Sequence, residues 1–196
     1  MKKLLLATTN QGKLEEFKHA LENITFKLVS PQEAGIAANF DVEETGSSLR
    51  ENAILKAKAY AKKSGVLTLT DDTGLIVETL DGRPGIHSAR YAPNAQARNK
   101  KLLQEMQTVK NRNAHFEAVI ALYDPQRKKL KTCRGISKGK ILRRPKGSEG
   151  FGYDPIFFSY DLNKSFGEAT RADKLKVSAR GHALKKAKKI LKNWSK

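Results

Sequence analysis

The sequence predicts an α/β protein, a mixed β-sheet flanked by helices. Three observations carry that expectation: apolar runs of strand length alternate with stripes of helical period, two consecutive runs are close enough to pair as a hairpin, and turn residues mark the joins. Residues 4–8 are a short apolar run suited to a buried strand. Asn10-Gln11-Gly12 then opens a helix over about 13–22, with Leu14, Phe17 and Leu21 on one stripe. Ser48 and Glu51 stand at capping-box spacing and start a second helix to about Lys63, with Leu49, Ala53, Ala57 and Tyr60 inward. Residues 66–70 and 75–79 read as strands separated by a polar turn, Asp71-Asp72-Thr73-Gly74. A glycine- and proline-rich loop over 81–85 precedes a helix near 95–107. Residues 115–123 and 130–142 alternate as a hairpin around Asp124-Pro125-Gln126, and 145–155 form a loop with three glycines. The last helix is expected from about Ala172, bending near Gly181 and burying Leu184, Ala187, Leu191 and Trp194. No linker or repeat interrupts the chain, so residues 1–196 are expected to form a single domain with frayed ends at 1–3 and 193–196.

Composition narrows the function. Cys133 is the only cysteine, which excludes an internal disulfide or a multi-cysteine zinc site, and the four histidines are too scattered for metal-ligand spacing. No stretch approaches the roughly 20 apolar residues that span a bilayer, so a soluble, cytoplasmic protein without a membrane partner is expected. The net charge is +18, and residues 131–196 hold 18 basic against 5 acidic side chains. Such a segment attracts polyanions: nucleic acid, a membrane surface or a nucleoside triphosphate. The lysines at 185, 186, 188, 189 and 192 also read as an ordinary solvated face.

Three segments could carry chemistry. In Ala7-Thr8-Thr9-Asn10-Gln11-Gly12-Lys13, a helix start presents unpaired N–H groups and partial positive charge to a phosphate, with Lys13 adding a full charge. It is not a P-loop, because Ala7 replaces the first glycine and Leu14 the magnesium-ligating hydroxyl. Two acidic pairs, Glu43-Glu44 and Asp71-Asp72, suit a magnesium ion that takes few protein carboxylates and completes its octahedron with phosphate and water. One carboxylate could take a proton from attacking water. In Gly147-Ser148-Glu149-Gly150-Phe151-Gly152-Tyr153-Asp154-Pro155, glycines flank two aromatics; Phe151 could stack on a base while Asp154 or backbone amides read its edge. Lys174 and Arg180 are further donors. Each segment also has a bland account: an ordinary strand–helix connection, turn and cap chemistry, or a loop plugging the core.

Taken together and in this order, over residues 5 to about 184, these segments resemble the inosine triphosphate pyrophosphatase family. The most diagnostic stretch is Asp71-Asp72-Thr73-Gly74-Leu75 followed by Pro84-Gly85-Ile86-His87-Ser88-Ala89-Arg90-Tyr91. The resemblance implies an elongated mixed sheet flanked by helices, two lobes with a nucleotide cleft between them, and a homodimer. It implies magnesium-dependent hydrolysis of ITP, dITP and XTP, purine nucleoside triphosphates, to the monophosphate and pyrophosphate, with no specific nucleic-acid partner. By position, Asp72 would be the general base, and Glu43 and Asp72 would face the metal, with Glu44 and Asp71 as neighbouring candidates. Lys13 and Lys56 would hold the triphosphate, with donors from Thr8, Thr9, Asn10, Gln11 and Gly12; Thr73 stands where the family often has serine. Phe151, Gly152, Tyr153, Asp154, Lys174, Ala179 and Arg180 would enclose the base. One departure is Ser178-Ala179-Arg180, where the family usually carries Ser-His-Arg, so a ring at the base pocket is missing. His182, three residues on, reads as an exposed helix histidine.

Overall fold

In the computed structural model, which describes residues 1–194, strand β1 (Lys3–Leu6) buries Leu4, Leu5 and Leu6 completely. Burial on both faces suits an inner strand of a parallel set, and β1 lies between β2 (Lys27–Val29) and β3 (Leu67–Val77), parallel to both. Leu4 sits opposite Leu28 on one side and Leu67 on the other. Helix α1 (Gln11–Ala20) starts at Asn10, whose Oδ1 accepts the Lys13 N–H at 3.0 Å. Helix α2 (Leu49–Ser64) is capped by Ser48 and stops at Gly65, whose φ of +69° suits a residue without Cβ. The expected capping box forms only in half. The Glu51 carboxylate accepts from the N–H and hydroxyl of Ser47, not from Ser48.

The largest departure from expectation is β3 itself. The polar turn anticipated at Asp71–Gly74 does not exist; one strand of 11 residues runs straight through it. The two carboxylates are tolerated there because a lysine reaches one oxygen of each inside the fold. Beyond β3, β4 (Pro84–Gly85) pairs with it antiparallel within the expected loop, and α3 (Ala95–Glu105) begins at an Asn94 cap. The hairpin appears as expected: β5 (Asn113–Asp124) and β6 (Lys129–Ile141) meet at a tip where Asp124 Oδ1 accepts the N–H groups of Gln126 and Arg127. Two short strands, β7 (Phe157–Ser159) and β8 (Lys164–Ser165), have too few residues for alternation to register in the sequence. The sheet order is β2-β1-β3-β5-β6-β7-β8, with β4 on β3, a mixed open sheet.

The C-terminal helix is two helices, α4 (Arg171–Val177) and α5 (Ala179–Trp194). The break falls at Ser178, not at Gly181, since Ser178 is extended (φ −70°, ψ 154°) and its hydroxyl accepts the Gly181 N–H at 3.1 Å, capping α5. Gly181 serves close approach instead: a Cβ there would lie 1.7 Å from the Leu175 carbonyl oxygen. Alanine gains about 1 kcal/mol of helix propensity over glycine, yet such overpacking costs typically about 1–3 kcal/mol or more. Gly181→Ala is therefore expected to lower the urea midpoint with an unchanged m-value; an equal or higher midpoint would show that the two helices can part without penalty. The expected inward stripe of α5 holds, with Leu184, Ala187, Leu191 and Trp194 buried. Of the ends expected to fray, Lys3 is in β1 and Asn193 and Trp194 are in α5, Met1 and Lys2 are exposed and belong to no element, and Ser195 and Lys196 lie outside the described residues.

The chain divides into two compact units, each discontinuous. The first holds residues 1–72, 118–134 and 183 onward, and its core includes Leu5, Val29, Ile36 and Tyr60. The second holds 73–117 and 135–182, and packs Leu102 and Met106 with the tilted rings of Phe116, Phe157 and Phe166.

Candidate active site

In the first unit, the β1–α1 turn leaves Thr9, Asn10 and Gln11 exposed, with Thr8, Gly12 and Lys13 half-buried. Thr8 Oγ1 accepts the Asn10 N–H at 3.2 Å, which shapes the turn, and the first turn of α1 carries no acid to repel an anion. Consecutive residues of a strand point to opposite faces, so Asp71 and Asp72 do not act as the adjacent pair the sequence suggested. Asp71 Oδ1 meets Lys13 Nζ of α1 at 3.0 Å. Asp72 Oδ1 meets Lys56 Nζ of α2 at 3.0 Å, and Lys56 also donates to Glu44 Oε1 at 2.6 Å. The arrangement is Lys13–Asp71 beside a Glu44–Lys56–Asp72 triad, with both aspartates buried at 3% and 7% exposure.

The electrostatics follow from that burial. Desolvation raises the Asp72 carboxyl above the ordinary range, and Glu44 raises it further, against the pull of Lys56 and Lys13. Burial alone would lower Lys56, but Asp72, Asp71 and Glu44 together outweigh it and hold the ammonium above its usual value. Asp72 Oδ2 is buried and has no hydrogen-bond partner among the described residues. A buried carboxylate oxygen without a donor is a position made for a cation or a reacting water. Glu44 supplies a second oxygen set, and no group of three or more ligating side chains forms among the described residues. Such a sparse donor set fits magnesium rather than calcium or zinc, because magnesium keeps waters and phosphate oxygens. The acid that the fold brings to Asp72 is Glu44, whereas Glu43 is exposed. Sequence spacing could not separate these neighbours; only the reach of Lys56 does.

In the second unit, Phe151 lies under two cations, with Lys174 Nζ 4.5 Å and the Arg180 guanidinium 5.6 Å from its ring centroid. Asp154 holds the loop together: its Oδ2 accepts from Lys174 Nζ at 2.6 Å and from the Phe151 N–H at 2.7 Å. Gly150 allows that approach, since its φ is +76° and a Cβ would lie 2.1 Å from Asp154 Oδ2. Tyr153 is spent in the core, its hydroxyl donating to the Ser88 carbonyl at 2.9 Å, and burial pushes its phenol well above the usual tyrosine range. The Gly152 carbonyl accepts from Asn99 Nδ2 at 3.1 Å. Arg180 Nη2 donates to Thr73 Oγ1 at 3.2 Å, and Ala179 is buried in the first turn of α5. His182 is not the exposed residue expected; it is half-buried with Nδ1 2.8 Å from the Ile136 carbonyl, so Nδ1 carries the proton. Ser88 and Asn99 were missed as supports of this loop, and only the position of Ser88 within the 84–91 stretch hinted at a role.

The strand and helix order defines an α/β protein whose β1–α1 turn stands at a helix start beside lysine-paired carboxylates. The comparisons narrow this further. The Ham1 family profile matches residues 4–190, and the chain belongs to the Ham1 family. It is 42% identical over 186 residues to a dITP/XTP pyrophosphatase of Prochlorococcus marinus subsp. pastoris, covering 95% of each chain. It is 41% identical to the dITP/XTP pyrophosphatase of Bacillus subtilis, covering 97% of this chain and 98% of that one. The solved structure of a HAM1 protein from Coxiella burnetii superposes with a TM-score of 0.89 at 35% identity, covering 98% of this chain and 100% of the other. No helix among the described residues is long and apolar enough to cross a membrane.

Proposed function

We propose that this chain hydrolyses the deaminated purine nucleoside triphosphates ITP, dITP and XTP to the monophosphate and pyrophosphate, with magnesium. The names borne by its relatives support the substrate class. The observation that carries the reaction type is Asp72: one oxygen held by Lys56, the other buried and unengaged, on a carboxyl whose pKa is raised toward that of a useful base. Glu44 and Asp72 would hold the magnesium ion, Glu44 in the place expected for Glu43. When bound, the ion supplies charge neutralisation at the phosphate oxygens. Lys13 and the turn from Thr8 to Gly12 bind the triphosphate, and Lys13 and Lys56 stabilise the charge that gathers on the pyrophosphate leaving group. Asp72 orients a water toward the α-phosphorus and takes its proton.

Base selection falls to the second-unit residues. Hypoxanthine and xanthine present a carbonyl oxygen at the purine 6-position, where adenine presents an amino donor. A donor such as Arg180 pairs with the first and faces the second unsatisfied. One buried unpaired donor costs about 1–3 kcal/mol, roughly a 10- to 100-fold discrimination. Arg180→Ala should therefore shrink the ITP-over-ATP ratio of kcat/KM by about that factor, and an unchanged ratio would remove Arg180 from base reading. We further infer a homodimer working in the cytoplasm, for which a buried free Cys133 is suited. The reading as a whole is tested by supplying ITP with magnesium: pyrophosphate should accumulate, and orthophosphate in its place would refute it.

A further inference from the structure

A second feature of the first unit takes no part in this chemistry. The β5–β6 tip and the start of β6 carry Arg127, Lys128, Lys129, Lys131 and Arg134, with no acid between residues 125 and 134. Helix α5 carries Lys185, Lys186, Lys188, Lys189 and Lys192, with no acid from residue 183 to its end. These two runs are fastened side by side. Lys186 Nζ donates to the Arg134 carbonyl at 2.6 Å, Arg127 Nη1 reaches the Trp194 carbonyl at 3.5 Å, and Lys129 Nζ stands 5.3 Å over the Trp194 ring. Lys188 pins the other flank of α5 to the end of α1, donating to the carbonyls of Ala20 and Glu22. Lys129, Lys131, Lys185, Lys186, Lys189 and Lys192 thus lie on two adjoining elements with Arg127 and Lys128 at the hairpin tip, while Arg134 points to the other side of β6 from Lys129 and Lys131. The acids at the margins of the two runs are already engaged, Asp124 by Arg127 at 3.8 Å and Glu22 by His19 at 3.1 Å. At one end this basic face opens into a cavity of about 270 Å³ whose wall includes Lys2, Lys3, Arg127 and Trp194, adding two more cations.

The geometry points to a nucleic-acid backbone, bound without regard to sequence, as the partner of this face. Like charges held at fixed spacing repel one another, and a row of phosphates relieves that repulsion while releasing its own counterions. Lys185 and Lys189, one turn apart on α5, stand about 6 Å apart along the axis. A lipid surface suits the face poorly, because interfacial helices also need an apolar side to insert. The apolar stripe of α5 is buried, and the large hydrophobic residues exposed among the described residues, Met1, Leu55 and Tyr160, lie on neither run.

Fluorescence anisotropy with a labelled mixed-sequence DNA strand of about 20 nucleotides, titrated from about 50 to 200 mM salt, tests this. With about six phosphates contacted, log K should fall against log salt with a slope near −4 for a single strand. The triple variant Lys131→Glu/Lys185→Glu/Lys189→Glu should bind at least tenfold more weakly than Lys58→Glu/Lys62→Glu/Lys100→Glu, which makes the same charge change on other exposed helix positions. Pyrophosphate release from ITP should be the same in the first triple as in the parent, and excess ITP with magnesium should leave the strand bound. The assignment is overturned if both triples weaken binding equally, if ITP displaces the strand, or if the parent does not bind it at the lowest salt. Loss of phosphatidylserine-vesicle binding in the first triple, with DNA binding intact, would overturn it in favour of a lipid surface.

Discussion

Asp72→Asn should retain the fold and lose about 10²- to 10⁴-fold in turnover of ITP, the usual worth of a positioned general base. The amide keeps the shape and can still meet Lys56, but it cannot take a proton. Folding should not suffer, and the sign can be worked out for the metal-free protein. The folded-state pKa of Asp72 is raised by burial and by Glu44. Its proton therefore binds the native state more tightly than the unfolded chain, and the stability this contributes is lost as pH rises through the folded pKa. At neutral pH the charged carboxylate works against folding, and the amide removes that cost while Lys56 keeps Glu44 as a partner. The melting midpoint of the variant should match or exceed the parent at neutral pH, and any excess should shrink in acid, where Asp72 is itself protonated. Near-parental turnover would remove Asp72 as the base.

Lys174→Met is expected to have the largest effect on stability. Lys174 and Asp154 are paired at 2.6 Å with side chains only 6% and 5% exposed. Removing one partner of a buried pair costs about 3–5 kcal/mol, because the buried Asp154 carboxylate then loses the ammonium that meets it at 2.6 Å. Adding Asp154→Asn should restore most of the loss, since the amide oxygen still accepts the Phe151 N–H and the buried carboxylate is gone. Chemical denaturation of the parent, both single variants and the double variant closes the cycle. A single variant within about 1 kcal/mol of the parent would mean that water reaches Asp154 and that the pair is not truly buried.

The helices and the hairpin were legible in the sequence because their signals are local: Ser48 before an apolar stripe, Asp124-Pro125-Gln126 between two alternating runs. The strand through Asp71 and Asp72 was not. Polar residues in a row mean a turn unless something far along the chain neutralises them, and Lys13 and Lys56 lie 58 and 16 residues away in sequence. The same long-range reach of Lys56 brings Glu44, and not its exposed neighbour Glu43, to Asp72, which no spacing rule could foresee. The break at Ser178 was masked by Gly181, the more obvious helix breaker, whose actual task is to admit the Leu175 carbonyl. Phe151, Lys174 and Arg180 lie together as the motif order suggests, while Tyr153 supports the loop from the core and Asp154 ties Lys174 to the Phe151 backbone.

The central claim is that Asp72 delivers water to the α-phosphorus. Running one turnover of ITP with magnesium in water enriched in oxygen-18 and weighing both products by mass spectrometry tests it directly. The account predicts one heavy oxygen in the monophosphate and none in the pyrophosphate; label in the pyrophosphate, or release of a diphosphate and labelled orthophosphate, would contradict it.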